Sequence, residues 1–223
     1  MWPNSPDDLL EVQRALAAAA PQPWHPPGAP FAVGACAIVF PRGLGGRGAR
    51  GDRAWAGAVV LLRRSVVAEA TITGAAAAPY VPGLLALREG PCLEAAVRAL
   101  TVTPDVLLVD ATGADHPRRA GLALHLGAVT DLPTVGVTHR PLLAQGVWPD
   151  DTPGAHAPLS LDGEVVGAWL RTRRGARPVA VHPGWRITLA DAIEVVASAV
   201  HGHRTPEALR HARHRARIAR ANG

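Results

Sequence analysis

Two acidic residues, Asp110 and Glu89, lie in segments that are otherwise apolar. Asp110 ends the apolar part of "DVLLVDAT" (105–112), and Glu89 lies within "PYVPGLLALREGP" (79–91). A short apolar run is typical of a buried parallel strand, and ligands collect at the carboxyl ends of such strands. A carboxylate among buried neighbours needs a partner or a metal ion. Both residues are therefore candidate ligands of a divalent cation. As alternatives, Asp110 caps the next turn and Glu89 pairs with Arg88 at the surface.

A basic segment, "GADHPRR" (113–119), follows Asp110 and contains His116, Arg118 and Arg119. Arginine binds phosphate well because its planar guanidinium presents a fork of donors. Two carboxylates for a cation and a basic cluster for phosphate indicate a site that cleaves a phosphodiester. The same His-Pro-Arg-Arg sequence is also consistent with the solvated start of a helix.

The chain that must position these residues alternates between strand-like and helical segments. An amphipathic helix (about 6–20) and a proline-rich connector occupy residues 1–31, and a Gly/Arg-rich loop typical of a hairpin joins the next two runs. Three antiparallel strands followed by strand–helix alternation predict an α/β fold with a mixed central sheet and flanking helices, an order that a ribonuclease H-like sheet has. The length favours a single domain, 1–223. The predicted strands are 31–40, 54–62, 65–73, 105–112, 133–139, a hairpin at 161–172, and 177–184; the later helices are 84–100, 117–126 and two that begin at Thr188 and Thr205.

The composition restricts the class of protein. The formal charge is +5, and all 23 strongly basic residues are arginines, a bias that GC-rich coding explains as readily as phosphate binding does. Two cysteines, Cys36 and Cys92, argue against a disulfide framework and favour a reducing compartment. The N-terminus lacks the features of a signal peptide, and no apolar run approaches the roughly 20 residues of a membrane span. We therefore expect a soluble, cytoplasmic protein with no membrane partner.

Four segments of the sequence resemble the endonuclease V family. They are "PYVPGLLALREGP" (79–91), "DVLLVDATGADHPRRAGLALHLG" (105–127), "PTVGVTHRPL" (133–142) and "HPGWRITLADAIEVV" (182–196). They occur in the family's order, and the resemblance runs from about residue 32 to 213. It implies a ribonuclease H-like fold and a magnesium-dependent nuclease. Such an enzyme recognises hypoxanthine, the base of inosine, in DNA or RNA and cuts one phosphodiester downstream of it.

The resemblance also implies roles for individual residues. Glu89 and Asp110 match the acids of the family's metal centre, with Mg²⁺ as the expected cofactor and Mn²⁺ as an alternative. Tyr80 lies in the loop that the family uses as a wedge beside the lesion. Pro82 and the preceding proline stiffen this loop, so that the ring can stack on bases. The other implied contacts are backbone groups around Gly83, Leu85 and Gly121 for a flipped base, and the side chains of His116 and Arg118 for phosphate.

The sequence departs from the family at the metal centre. Cys36 stands in place of an aspartate that binds the metal; its thiol is softer than the oxygen ligands of Mg²⁺, and a small core residue is the alternative. His139 replaces the active-site lysine and is cationic only if its pKa lies near or above ambient pH. Arg213 and His214 stand where an acidic residue or a histidine usually completes the centre; the alternative is a basic helix that faces solvent or nucleic acid. Two further departures are Ala111, for a glycine, and Trp185, for a polar residue.

Two functions remain open at this point. In the first, the protein is an active endonuclease with Glu89, Asp110 and His139 as catalytic residues and Cys36 or His214 as a further metal ligand. In the second, it binds nucleic acid through the wedge and the base pocket and no longer cuts. The expected partner in both is single-stranded or damaged DNA or RNA that contains inosine, and we expect a monomer.

Overall fold

The fold is built on one sheet of eight strands with helices on both faces. The computed structural model describes residues 2–28, 30–44 and 46–223. The strands are β1 (Val33–Val39), β2 (Arg53–Leu62), β3 (Ser65–Ala75), β4 (Val106–Val109), β5 (Thr134–Thr138), β6 (His156–Leu161), β7 (Glu164–Leu170) and β8 (Val179–Pro183). The helices are α1 (Pro6–Ala18), α2 (Leu85–Arg98), α3 (Leu122–Thr130), α4 (Leu189–Ser198) and α5 (Glu207–Asn222).

The sheet combines antiparallel and parallel strands in the arrangement that the sequence predicts. Its strand order is β3-β2-β1-β4-β5-β8-β7-β6. The first three strands form an antiparallel meander, whereas β1, β4 and β5 run parallel. All four residues of β4 are buried, as in a central strand that helices cover on both faces. The predicted fold class, an α/β fold with a mixed sheet and flanking helices, is confirmed.

Two apolar layers cover the faces of the sheet. On one face, α4 and α5 pack with Ala35 and Val59; on the other, α1, α2 and α3 pack with Cys36. Neighbouring residues of β1 therefore serve opposite layers, as the pleat of a strand requires. Gly57 of β2 allows α5 to lie close against the sheet, because a Cβ there would be 2.9 Å from the amide nitrogen of Ala216. The carboxyl edge of β1, β4 and β5 thus lies between two helical layers, and helices of both layers supply side chains to it.

One predicted helix is misplaced. The sequence predicts a helix over 117–126, but α3 begins and ends later. Arg119 has a left-handed backbone with φ of +56°, a conformation that interrupts an α-helix. Gly121 follows as the N-cap and lies against Thr112, whose carbonyl oxygen a Cβ at this position would overlap. The segment 113–120 is consequently a loop beside the end of β4.

The remaining predicted elements are present, with ends displaced by a few residues. The turn between β6 and β7 consists of Asp162 and Gly163, with φ of +53° and +83°. Positive φ at both positions is the backbone of the hairpin turn that Asp-Gly sequences favour.

Within the described ranges, none of the helices has the length and apolar character needed to cross a membrane. The cytoplasmic location, the single domain over 1–223 and the monomeric state stay predictions.

Candidate active site

Asp110 lies at the carboxyl edge of the sheet, directly after β4 and between the two helical layers. Its Oδ2 atom accepts a hydrogen bond from Nε of Arg213 at 3.0 Å and lies 2.6 Å from Nη2 of the same side chain, with which it forms an ion pair. Arg213 reaches it from α5, on the opposite side of the sheet from α2. A guanidinium therefore offsets the charge of Asp110. The alternative that Asp110 only caps a turn does not account for this ion pair.

Glu89 approaches the same space from α2. The pKa of its carboxyl group is raised from 4.5 to about 7, chiefly because the group is buried and also because the carboxylate of Asp110 repels its charge. The neighbouring Arg88 offsets only part of this rise. None of these causes is a hydrogen bond. Glu89 and Asp110 are thus two carboxylates close enough to repel each other, which is the electrostatic condition that favours binding of a cation.

Arg88 does not form the surface pair with Glu89 that the sequence leaves open. Its guanidinium is buried, donates to Oδ2 of Asp52 at 2.9 Å and to the carbonyl oxygen of Ala78 at 2.8 Å, and lies 4.3 Å from the ring centroid of Phe40. Arg88 therefore joins α2 to the β1–β2 loop and to the segment before Tyr80. Its role here is to position the loops around the site.

Cys36 lies beside the two acids, on the face of β1 that packs against α2. Its Cα is paired with that of Val109, the residue before Asp110, and its side chain is fully buried. Burial raises the pKa of the thiol, and the charges of Asp110 and Glu89 raise it further. Cys36 is therefore a neutral thiol that adds no negative charge to the pair. Among the described residues, no group of three His, Cys, Asp or Glu side chains has the geometry of a metal site.

A cavity of about 170 Å³ opens next to Asp110. Tyr80 lies at its rim with 42% of its surface exposed, and the amide of Tyr80 donates to the carbonyl oxygen of Arg47 at 2.8 Å. The cavity is sized for one flat heterocycle and not for a duplex. The other lining residues are Gln13, Gly83, Leu85, Ala86, Ala111, Thr112, His116, Leu122, Thr138 and Leu142.

The carbonyl oxygen of Gly83 is the best-anchored group of this cavity. It accepts hydrogen bonds from Nε2 of Gln13 at 3.1 Å, from Nη2 of Arg118 at 2.7 Å, and from Nε2 of His116 at 3.0 Å. Nδ1 of His116 accepts from the amide of Arg118, so the hydrogen bonds assign the proton to Nε2. Burial lowers the pKa of His116 to about 4, which keeps the ring neutral. These three side chains hold the loop after Tyr80 in place.

The structure places the other residues implied by the resemblance as follows. Gly121 lies behind the cavity wall, and its amide donates to the carbonyl oxygen of Gly113 at 2.8 Å. Pro82 is exposed, and Leu85 lines the cavity. Arg118 makes internal hydrogen bonds to Gly83 and to Oε1 of Gln13, the latter at 2.6 Å. Contacts of these residues with base or phosphate stay predictions.

His139 follows β5 at the same edge of the sheet. One of its ring nitrogens lies 2.9 Å from Oγ1 of Thr205. Burial lowers its pKa, and the charges of Arg204 and Arg213 lower it further, against a weaker opposing effect of Asp110. His139 is therefore neutral at neutral pH and does not supply the positive charge of a lysine. Arg213 is the cationic side chain bound to Asp110.

The sequence does not predict the contacts that Gln13 and Arg213 make in the site. Gln13 occupies the position four residues after Leu9 on the buried face of α1, and a polar residue on an apolar stripe is a signal that could have identified it. Arg213 is named only as a departure from the family, because nothing in its neighbourhood in the sequence points to Asp110.

Comparison with known proteins shows the family of the chain. The family model described as Endonuclease V matches residues 45–214. Endonuclease V of Roseiflexus castenholzii is 44% identical over 73% of this chain and 74% of its own length. The crystal structure of Endonuclease V from Streptomyces avermitilis superposes with a TM-score of 0.88, at 35% identity over 99% of this chain and 95% of that chain. Endonuclease V of Ciona intestinalis, solved in complex with a 24mer DNA containing an inosine, superposes with a TM-score of 0.78 at 18% identity, over 97% of each chain. The ribonuclease H-like fold is confirmed, and the chain belongs to the endonuclease V family.

Proposed function

We propose that this protein is an endonuclease that acts on single-stranded or damaged nucleic acid containing inosine. The observation that carries the proposal is the cavity of about 170 Å³ that is lined by Asp110, whose charge also acts on the nearby Glu89. A base turned out of its strand into this cavity brings the adjoining phosphates to the acidic edge. The related protein from Ciona intestinalis, crystallised with inosine-containing DNA, supports the choice of ligand.

Base recognition is assigned to the Tyr80 loop and the wall behind it. Tyr80 lies exposed at the rim, where its ring can stack on a neighbouring base, a contact worth about 1–3 kcal/mol. Gly83 and Leu85 line the pocket, and the three hydrogen bonds on the Gly83 carbonyl oxygen fix its position before the base arrives. A pocket that is already ordered loses little conformational entropy on binding.

The two carboxylates fit one divalent cation. Mg²⁺ is commonly held by one or two carboxylates, with water and substrate phosphate as the other ligands, so Glu89 and Asp110 suffice as protein ligands. The pKa of Glu89 is raised chiefly by burial and in part by repulsion from Asp110, and this repulsion favours a cation close to both groups. Mg²⁺, or Mn²⁺ in its place, would activate water and offset charge on the phosphate. Arg213 has to leave Asp110 for a cation to bind there, and the neutral thiol of Cys36 adds no hard ligand.

A second function is favoured by two specific observations. The guanidinium of Arg213 already pairs with Asp110, and the buried Cys36 presents a neutral thiol at the position where the resemblance implies a carboxylate. A protein with these features binds inosine-containing strands and releases them uncut.

One experiment separates the two functions. The purified protein is incubated with a single-stranded DNA and an RNA that each contain one inosine, in Mg²⁺, in Mn²⁺ or in EDTA, beside adenine controls. The proposed function requires a cut near the inosine that needs the metal ion and is absent from the adenine controls. Preferential binding of the inosine strand in all three buffers without any cut selects the second function. Equal binding of both strands and no cut would falsify both.

A further inference from the structure

One face of α5 is strongly basic and meets the acidic edge. The opposite face, formed by Ala208, Leu209, Ala212 and Ala216, is buried against the sheet. The basic residues Arg210, Arg213, His214 and Arg217 follow the spacing i, i+3, i+4, i+7, which places them on one side of a helix.

These side chains line a shallow groove of about 340 Å³ together with Glu207 and His211. Glu207 pairs with Arg210 at 3.1 Å and lies 3.3 Å from the ring of His211. Arg213 extends from the groove to Asp110, so the groove and the candidate active site are continuous. His214 and Arg217 are exposed, and no ion pair involves either of them within the described residues.

Such a face is unfavourable for the isolated helix. Like charges three or four residues apart destabilise a helix, and the arginines at 210, 213 and 217 form two such pairs. Glu207 offsets the charge of Arg210 and Asp110 that of Arg213, whereas Arg217 has no ion pair among the described residues. An external anion that bridges the guanidinium groups removes this repulsion, and phosphate suits arginine because of its geometry.

We propose that the α5 face of Arg210, Arg213 and Arg217 binds consecutive phosphates of the strand on which the site acts. The proposal rests on the proposed function, since that function supplies the strand. Residues 210 and 217 are about 10 Å apart along the helix, at about 1.5 Å per residue, which spans neighbouring phosphates. Continuity with Asp110 favours a nucleic-acid strand over an acidic protein or a lipid surface, because a strand with its base in the cavity has to run past this edge.

The salt dependence of binding tests the phosphate contacts directly. Each phosphate contact on a single strand contributes about 0.7 to the slope of log K against log salt. The double variant Arg210→Gln/Arg217→Gln keeps the side-chain stems and removes two charges. We expect the slope for an inosine-containing single strand to fall in magnitude by about 1.4, while the ratio of inosine to adenine affinity stays unchanged because the cavity is untouched.

A matched control uses the β2–β3 turn at the other end of the sheet. Arg63 and Arg64 are both exposed and follow Leu61 in the chain. Leu61 pairs with Val33, and Val33 pairs with Val106 at the start of β4. The turn therefore lies at the end of the sheet opposite to Asp110. The variant Arg63→Gln/Arg64→Gln also removes two charges, and we expect its slope to equal that of the wild type.

Three results overturn the proposal. The first is an unchanged slope in the α5 variant, with the fold verified by circular dichroism; the second is an equal fall in the control variant. The third is a fall in binding to vesicles of anionic phospholipid without a fall in binding to the strand, which assigns the face to a lipid surface. If the wild-type protein does not bind the inosine-containing single strand at any salt concentration, the proposed function is overturned as well. If the double variant fails to fold, Arg217→Gln alone is measured, with an expected change of about 0.7.

Discussion

The base cavity and the acidic edge share Asp110 but are constructed in opposite ways. At the cavity, three side-chain donors converge on the carbonyl oxygen of Gly83, and Arg118 has a further partner in Gln13. At the edge, the pKa of Glu89 is raised chiefly by burial and further by the nearby charge of Asp110. The cavity depends on a backbone carbonyl group that several side chains hold in place together. Cation binding at the edge depends on the number of carboxylates there, and a neutral residue such as Cys36 in place of an aspartate lowers that number.

The variant Asp110→Ala separates the two regions most sharply. We expect cleavage of an inosine-containing strand to fall by about 100-fold or more, because one carboxylate is left for the cation. Binding of the same strand should hardly change, since the cavity keeps its other walls. Cleavage and fluorescence anisotropy are measured on one preparation, with the exposed Asp150→Ala as control. Parallel losses of cleavage and binding would show that the two regions are not separable.

The variant Tyr80→Ala tests the cavity alone. We expect affinity for the inosine strand to fall by about 5- to 150-fold, the equivalent of a stacking contact of about 1–3 kcal/mol. Tyr80→Phe keeps the ring and should bind like the wild type. Titrations are carried out at one fixed salt concentration, because phosphate contacts depend on salt. An unchanged dissociation constant for Tyr80→Ala excludes the wedge role.

The variant Cys36→Asp changes the edge alone. A third carboxylate beside Glu89 and Asp110 should tighten Mn²⁺ binding by about tenfold, the equivalent of about 1.4 kcal/mol, as measured by calorimetry. The metal-free variant should also unfold at a lower temperature than the wild type, because a carboxylate at the buried position 36 loses its hydration and is repelled by Asp110 and Glu89. Cys36→Ser is the neutral control. Identical metal affinity in the aspartate and serine variants means that position 36 does not face the cation.

Removal of the competing guanidinium should have a smaller effect on the same centre. An ion pair that is partly exposed is worth up to about 1 kcal/mol, so Arg213→Gln should tighten Mn²⁺ binding by about two- to fivefold. Arg217→Gln removes a charge from the same helix without a contact to Asp110 and serves as the control. Weaker metal binding by Arg213→Gln contradicts competition at Asp110.

The smallest expected effect is on the pH dependence of stability without metal. The folded pKa of Glu89, about 7, lies above its ordinary value of 4.5, so the folded state binds the extra proton and stability falls as pH rises between these values. His116 and His182 have pKa values lowered by burial from 6.5 to about 4, and they contribute the opposite trend, a gain in stability as pH rises from about 4 to 6.5. The difference between Glu89→Gln and the wild type isolates the first effect. Urea unfolding in EDTA should show this difference growing in favour of the variant from pH 5 to pH 8. A constant difference means that Glu89 is not protonated near neutral pH.

The sequence predicts much of the fold because most strands and turns can be recognised from their own residues. The apolar run of β4 and the Asp-Gly turn after β6 each carry their own signal, and the position of Asp110 follows from the end of a strand. The prediction of a helix over 117–126 is wrong because Arg119 has a left-handed backbone. Its surroundings impose this conformation, which the conformational preference of arginine does not predict.

The candidate site is predicted only in part, for a different reason. Cys36 is identified only by resemblance, and the sequence around Glu89 leaves a surface pair with Arg88 open as an alternative to a metal ligand. The pair of Arg213 with Asp110 joins residues 103 positions apart, on opposite sides of a sheet edge. Such a contact is set by the packing of α5 against β2, where Gly57 permits the close approach, and no local pattern encodes it.

The hydrogen bond from Gln13 to Gly83 makes the N-terminal helix part of the proposed base pocket. Helix α1 lies outside the segment 45–214 that the family model matches, and it contains neither Glu89 nor Asp110. A shortened protein trimmed to that segment would lose one of the three donors that fix the Gly83 carbonyl oxygen, together with all of β1. Under the proposed function, recognition of the base would therefore require residues outside the segment that the family model matches, and that segment is too short to serve as a shortened protein.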